Sequence, residues 1–252
     1  PVPEPAPVPA TPAWQRNAVP ADWPAGRPAI AVVIDDLGLD RRRSAQVVGL
    51  PGPLTLAWLP YASDLPRQTA AARAAGHELL VHMPMQPQGA NQNPGPGAML
   101  VGLGSGEIAR RVDAALGAFN GHVGLNNHMG SRFTEDRAGM TVVLDELRRR
   151  GLLFLDSRTT GRSVGMDLAS RHGVPAAGRD VFIDHDPSPA AVGKALLQME
   201  AVARRNGYAV GIGHPHDATI AALAAWLPQL RAKGFAIVPV SAVVRARSKP
   251  AE

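Results

Sequence analysis

The chain contains no cysteine. That excludes disulfides and thiolate ligands, so any bound metal must be held by nitrogen and oxygen. Aromatic residues make up only 4%, so a core drawn from the 45% apolar residues is mostly Ala, Val, Leu and Ile. Lysine is confined to Lys194, Lys233 and Lys249, and the formal charge of +5 is almost wholly arginine. No basic stretch is interleaved with aromatics, which argues against a nucleic-acid partner. A basic surface is compatible with an anionic polymer such as a cell envelope. No apolar run approaches the ~18 residues of a membrane span. No GxGxxG or Walker loop follows the first strand, and no internal repeat stands out, so a nucleotide fold has no specific support.

What the chain does have is proline at its start. "PVPEPAPVPATP" alternates Pro with small residues and reads as an extended, semi-rigid segment. Residues 1–27 are therefore expected to be a Pro-rich linker, and residues 28–247 the folded domain. Such a stalk often separates an anchor or signal segment from a domain. Together with a first residue that is Pro1 rather than Met, it leads to the expectation of a processed, periplasmic or otherwise exported protein.

Within the domain, short apolar strands alternate with helical patterns. The expected strands are 29–35, 54–59, 78–83, 122–127, 152–157, 181–185, 209–214 and 236–240. They read as continuous apolar runs, as strands buried on both faces do. Four helices carry apolar stripes or end signals: Ile108, Val112, Leu116 and Phe119 after Ser105; Met140, Val143, Leu144 and Leu147 stopped by Gly151; Ser188-Pro189 to Gly207; and Ile220, Leu223, Leu227 and Leu230, interrupted by Pro228. The alternation predicts a parallel sheet and a small, irregular (β/α)7-8 barrel of TIM type, with an open doubly wound sheet as the alternative.

Functional groups of parallel α/β folds gather where strands end. Here those ends carry Asp35-Asp36, His82, Asn126-Asn127-His128, Asp156-Ser157, Asp184-His185-Asp186, and His214 with His216. Five of the eight histidines fall there. Any one of these residues reads as a polar cap, but their joint occurrence at one face does not. Asp and neutral His together are ligands for a borderline divalent ion, zinc above all. A metal also explains adjacent carboxylates at the end of a buried strand: one can bind it, and the other can stay ionised nearby to take a proton from water. The competing explanation is a helix N-cap partnered by an arginine from 41–43.

The blocks "AVVIDDLG", "GHELLVHMPMQP", "GLNNHMGS", "FLDSRT" and "GIGHPH", in that order, resemble the divergent polysaccharide deacetylase family, a branch of the glycoside hydrolase/deacetylase superfamily. The likeness covers nearly all of 28–245 and implies an irregular (β/α) barrel that removes N-acetyl groups from an amino-sugar polymer. It implies Asp35 as general base, Asp36 and His82 as metal ligands, and His214 as general acid. Ordinary polysaccharide deacetylases place a further ligating histidine where this chain has Gln86, so His128 becomes the candidate third ligand. The ordinary family's Arg-containing motif after the fourth strand is replaced by "NNHMGS". Asn126, Asn127, Asp156 and His216 are candidate substrate-binding residues, with Asp156 or Asp184 also able to orient a histidine. Turn chemistry is the alternative for the asparagines, and a helix-start turn for Asp184-His185-Asp186.

Two other functions compete with a zinc-dependent deacetylase acting on a carbohydrate. A carbohydrate-binding or envelope scaffold that has lost turnover is favoured by Gln86. A phosphoesterase is compatible with the Asp and His set but has no phosphate-cradling loop. The Gly/Pro-rich stretch 86–106 follows the third strand and is expected to form a lid over the site, an unstructured connection being the alternative.

Overall fold

The computed structural model describes residues 11–248. Nine strands form one sheet: β1 (Ala29–Leu37), β2 (Thr55–Trp58), β3 (Glu78–Met85), β4 (His122–Met129), β5 (Leu153–Asp156), β6 (Ala176–Gly178), β7 (Val181–Phe182), β8 (Tyr208–Gly213) and β9 (Ala236–Ile237). All pairings are parallel, in the order β6-β5-β4-β3-β2-β1-β8-β7, and β9 pairs with the start of β1. The sheet curls into an irregular (β/α) barrel. The helices are α1 (Ala13–Arg16), α2 (Arg41–Val48), α3 (Leu65–Ala74), α4 (Ser105–Leu116), α5 (Arg137–Arg150), α6 (Gly165–Arg171), α7 (Pro189–Asn206), α8 (Asp217–Trp226) and α9 (Val240–Arg247).

Alternation along the strands divides the core in two. Ile30, Val32 and Ile34 of β1, Leu79 and Val81 of β3, Leu125 of β4 and Phe154 of β5 point outward, into a layer shared with α4, α5 and α7. Ala29, Ala31, Val33, Leu80, Leu153, Leu155, Val210 and Ile212 point inward. The inner residues of β1 and β2 are small, and the space they leave is filled by Val240, Val243 and Val244 of α9 and by Trp14 of α1. The middle of the barrel is therefore filled, and the acidic and histidine side chains of the strand ends gather at its upper end.

Residues 11–27 depart from the linker expectation. Trp14 is 3% exposed, its N–H donates to Gly151 O, and Asn17 Nδ2 donates to His122 O. One aromatic and a helical turn tie this segment to the barrel floor, so the fold begins before residue 28. Residues 1–10 of the proposed linker lie outside the described residues.

The expected helix ends are in place. Ser188 accepts from Ala191 N, Gly151 and Gly207 adopt left-handed conformations, and the α8 stripe breaks into a 3-10 turn at Leu227–Gln229 around Pro228. Among the described residues, no helix is long and apolar enough to cross a membrane.

Among the described residues, the barrel does not close by hydrogen bonding. β6 and β7 are the two ends of the sheet path. Only Arg179 and Asp180 join them: Arg179 N–H donates to Asp156 O on one side, and Asp180 N–H to Val210 O on the other.

Candidate metal and catalytic site

The inward alternation continues to the strand ends. Asp35 follows Val33, His82 follows Leu80, His128 follows Asn126, Ser157 follows Leu155, and His214 follows Ile212, so all face the barrel mouth. Asp36 would point outward in a regular strand. Instead its φ is +58°, and the β1–β2 register shifts between Ile34 and Leu37. Asp is one of the few residue types that adopts this conformation at low cost. The irregularity turns both carboxylates toward one cavity. Gly38 makes it possible: at φ +108°, a Cβ there would sit 2.6 Å from Ala62 Cβ. Arg41, Arg42 and Arg43 pair with Asp40, Asp64 and Asp217 rather than with Asp35 or Asp36, and the cap of α2 is Asp40. The helix-cap explanation of the acidic pair therefore fails.

Asp36, His82 and His128 bring three donor atoms together. Asp36 Oδ1 lies 2.8 Å from His128 Nδ1 and 3.2 Å from His82 Nε2, and the two ring nitrogens are 3.1 Å apart. Ligands on a tetrahedral zinc at about 2.0–2.1 Å are spaced about 3.3 Å from one another. Asp36 Oδ1 is buried without a correctly angled hydrogen-bond partner. An orphaned carboxylate oxygen facing two imidazole nitrogens fits a divalent cation, and three protein ligands is the number catalytic zinc sites use. Burial works to raise the pKa of Asp36, but its contacts with His128 and His82 outweigh it and hold the carboxyl far below the usual range.

Asn126 sets the orientation of this group. Its Nδ2 donates to Asp35 Oδ1 over 2.8 Å and to Ser157 Oγ over 3.2 Å, and its Oδ1 faces His82 Nδ1 at 2.9 Å. A carboxylate accepts only, so the amide NH2 must face Asp35. The amide oxygen then requires a proton on His82 Nδ1, which leaves Nε2 with its lone pair toward Asp36 and His128. Asp35 is 2% exposed, with Oδ2 3.6 Å from His82 Nε2. Burial pushes its pKa up, partly offset by His82 and His214. Burial also disfavours a charged His82, but Asp35 and Asp36 beside it outweigh this and raise its pKa.

Opposite stands His214. Its Nδ1 meets Asp184 Oδ1 at 2.9 Å, and its Nε2 points into the mouth, 4.0 Å from Asp36 Oδ2. Asp184 Oδ2 accepts from His214 N–H and from Thr219 Oγ1, which fixes both rings of contact. Burial tends to lower the His214 pKa, but Asp184 first, then Asp35 and Asp36, raise it to about 9. Of the two candidates for orienting a histidine, the structure selects Asp184, which is more than a helix-start turn.

The cavity between these groups has a volume of about 370 Å³. Four substrate-binding candidates find different surroundings. Asn126 is wholly buried and its amide is consumed by Asp35, Ser157 and His82, so it orients those side chains and has no polar atom left for a ligand. Asn127 lines the cavity, but Nδ2 donates to Met129 O and Oδ1 accepts from Ser157 N, which is turn chemistry. Asp156 lies on the outward face of β5 and accepts from Arg158 N and Ser163 Oγ; alternation keeps it out of the cavity. His216 is exposed at the rim, next to His214.

Gln86, where a ligating histidine was sought, holds the following loop instead. Its Oε1 accepts from Val101 N, its N–H donates to Met99 O, and its O accepts from Arg132 and Phe133 N–H. The stretch 86–104 is thereby tied down at both ends, and Pro87 and Gln92 line one side of the cavity. Arg179 was not among the sequence candidates. It lines the cavity, donates to Ser157 O and Arg158 O, and lies 4.7 Å over the Phe182 ring. The signal for it was the strand Ala176–Gly178, three small residues that make no apolar run.

Comparison with known proteins follows this geometry. The model of the divergent polysaccharide deacetylase family matches residues 32–244. A Haemophilus influenzae protein is 35% identical over 201 residues, 80% of this chain and 71% of its own. YibQ of Escherichia coli is 36% identical over 194 residues, 77% of this chain and 60% of its own, so the chain spans less than two thirds of that relative. A crystal structure of an Agrobacterium tumefaciens C58 protein superposes with a TM-score of 0.88 at 31% identity, covering 92% of this chain and 94% of that one. Two distant structures share the fold alone. One is a T48 deacetylase with substrate (14% identity, TM-score 0.55, 89% of this chain and 94% of that one). The other is a pseudoenzyme of the CE4 family from Bacillus anthracis (12%, 0.52, 87% and 66%). The curled parallel barrel, the ordered blocks at its strand ends and the family match together establish that this chain belongs to the divergent polysaccharide deacetylase family.

Proposed function

We propose that this chain is a metal-dependent carbohydrate deacetylase that hydrolyses N-acetyl groups on an amino-sugar polymer of the cell envelope. One observation carries the reading: a preformed Asp36–His82–His128 triangle has a buried carboxylate beside it and an aspartate-held imidazole across the cavity. An ion bound by that triangle, zinc by its two-imidazole donor set, supplies Lewis acidity toward an acyl oxygen and toward water.

The protein's own groups supply the rest. Asp35 Oδ2, the oxygen not taken by Asn126, accepts the proton of the attacking water, and its raised pKa suits a base. His214 Nε2–H gives a proton to the leaving amine, while Asp184 steadies the imidazolium. The balance is amide plus water to acetate plus the protonated amine, the proton that Asp35 takes up being returned through solvent to His214. Asn126 keeps Asp35 and His82 in register, so base and ligand are fixed by one side chain.

The inactive-scaffold reading drew on the histidine missing at Gln86. His128 supplies a third donor at ligand spacing, which supports the metal-dependent reading in spite of Gln86. The Pro-rich start of the chain supports placing this activity in the periplasm or otherwise outside the cytoplasm. The test is metal content of the purified protein beside His82→Ala, Asp36→Ala and His128→Ala, with acetate release from N-acetylglucosamine oligomers and from peptidoglycan. Near-stoichiometric zinc lost in all three variants, with acetate released by wild type alone, is expected. Zinc present but no acetate from any acetylated amino sugar would leave a binding module.

A further inference from the structure

Among the described residues, a second group of ligating side chains lies beside the first: Asp184, His214 and His216, with donor atoms within 4.8 Å of one another. Asp184 Oδ1 and His214 Nδ1 are 2.9 Å apart, a hydrogen bond that would need to open by only about 0.4 Å to reach the spacing of two ligands on one zinc. Asp184 is 4% exposed. Its Oδ2 is held by Thr219 Oγ1 and by the His214 N–H, so Oδ1 stays aimed at the His214 ring. The backbone brings His216 alongside: its N–H donates to His214 O over 2.8 Å, and the two ring centroids are 5.9 Å apart.

His216 is unusual where it stands. It occupies the N-cap of α8, a position that favours Ser, Thr, Asp or Asn, yet its ring caps no backbone N–H. The ring is exposed and open to solution. The next carboxylate, Asp217, is held by two contacts of 2.9 Å from Arg43, so it is committed elsewhere.

We propose that Asp184, His214 and His216 form a second, weaker divalent-cation site whose ion takes the place of the His214 Nδ1 proton, leaving a neutral imidazole whose Nε2–H is a far weaker acid than the imidazolium. The first half of this stands on the geometry alone, and only the inhibitory consequence rests on the deacetylase reading. The second site is the weaker because an ion there must replace a formed hydrogen bond, releasing its proton to solvent. The first site offers an oxygen with no hydrogen bond to lose.

The test is equilibrium dialysis of the full chain against rising free zinc, with His216→Ala, His82→Ala and His185→Ala beside wild type. His185 is an exposed neighbour outside the proposed set and controls for adsorption to surface imidazoles. Wild type should take up one ion tightly and a second at higher zinc. His216→Ala should weaken the second by roughly 10- to 100-fold and leave the first. His82→Ala should do the reverse, and His185→Ala should change neither. Saturation of wild type at one tight ion would overturn the proposal. So would a second ion that His216→Ala leaves at full affinity, or that His185→Ala removes equally. Loss of only the tight ion from wild type would instead overturn the deacetylase reading and leave this one standing.

Discussion

Replacing Asn126 separates two jobs that one amide performs. In Asn126→Leu the His82 Nδ1–H and the Asp35 carboxylate, both within 2.9 Å of the amide, lose their partner inside the protein. Each buried group left unpaired costs about 1–3 kcal/mol, so the variant should be destabilised by about 2–6 kcal/mol. The imidazole also loses the contact that dictates its tautomer, and zinc affinity should fall about 10- to 100-fold. Asn126→Asp behaves differently. It keeps an acceptor for His82 Nδ1–H, so it should retain zinc at or above wild-type affinity. It also puts an oxygen where Nδ2 stood, 2.8 Å from Asp35 Oδ1. Two ionised oxygens that close repel by about 6 kcal/mol at an effective dielectric of ~20, so the pair must hold a proton at neutral pH and Asp35 can no longer act as a base. The assay is zinc titration against a competing chelator, paired with urea unfolding. Equal zinc affinity in wild type and Asn126→Leu, or equal loss in both variants, would refute the tautomer argument.

Three further outcomes follow from the same geometry. In metal-free protein, His214 should lose its proton near pH 9, followed by NMR. The stability this adds is present below its ordinary value of 6.5 and lost as pH rises through about 9. Asp184→Asn should lower that pKa and cut deacetylation by about 10²–10⁴-fold; an unmoved titration would show that Asp184 is not the cause. Trp14, 3% exposed beneath α9, should cost about 3–5 kcal/mol when truncated to Ala, and a change under 1 kcal/mol, read by urea unfolding, would restore a domain boundary near residue 28. Burial pushes Glu78 above its ordinary 4.5 despite hydrogen bonds from Ser241, Thr55 and Val19, so its contribution to stability is lost as pH rises through the folded value. Glu78→Gln should therefore flatten the fall of the urea midpoint above about pH 5; an unchanged slope contradicts this.

The strands and the face that bears the chemistry were legible because buried parallel strands leave continuous apolar runs, and the polar residues ending those runs stand out. Asp35, Asp36, His82, His128 and His214 all lie at one mouth for that reason. Sequence did not reveal which way each neighbour faces. Asn126 and Asp156 both end strands, but alternation puts the first inside, where neighbours consume it, and the second outside. Asp36 breaks alternation through a positive φ that no apolar pattern announces. Arg179 escaped because Ala-Ala-Gly carries too little hydrophobic area to read as a strand. Trp14 escaped because a lone aromatic after a Pro-rich run gives no periodicity.

The gap between β6 and β7 divides the rim into two kinds of wall. His214, Asp35, Asp36, His82 and His128 stand on or just beyond β8, β1, β3 and β4, which with β2 form an uninterrupted hydrogen-bonded arc. Their mutual distances can change only if several ladders shear together. Across the mouth, continuity rests on Arg179 and Asp180, which spend their N–H groups on Asp156 O and Val210 O, so each half of the seam is fastened to its own neighbour and not to the other half. Asp35, Asp36, His82, His128 and His214 thus share one continuous arc of the ladder, and the seam in the sheet stands away from them.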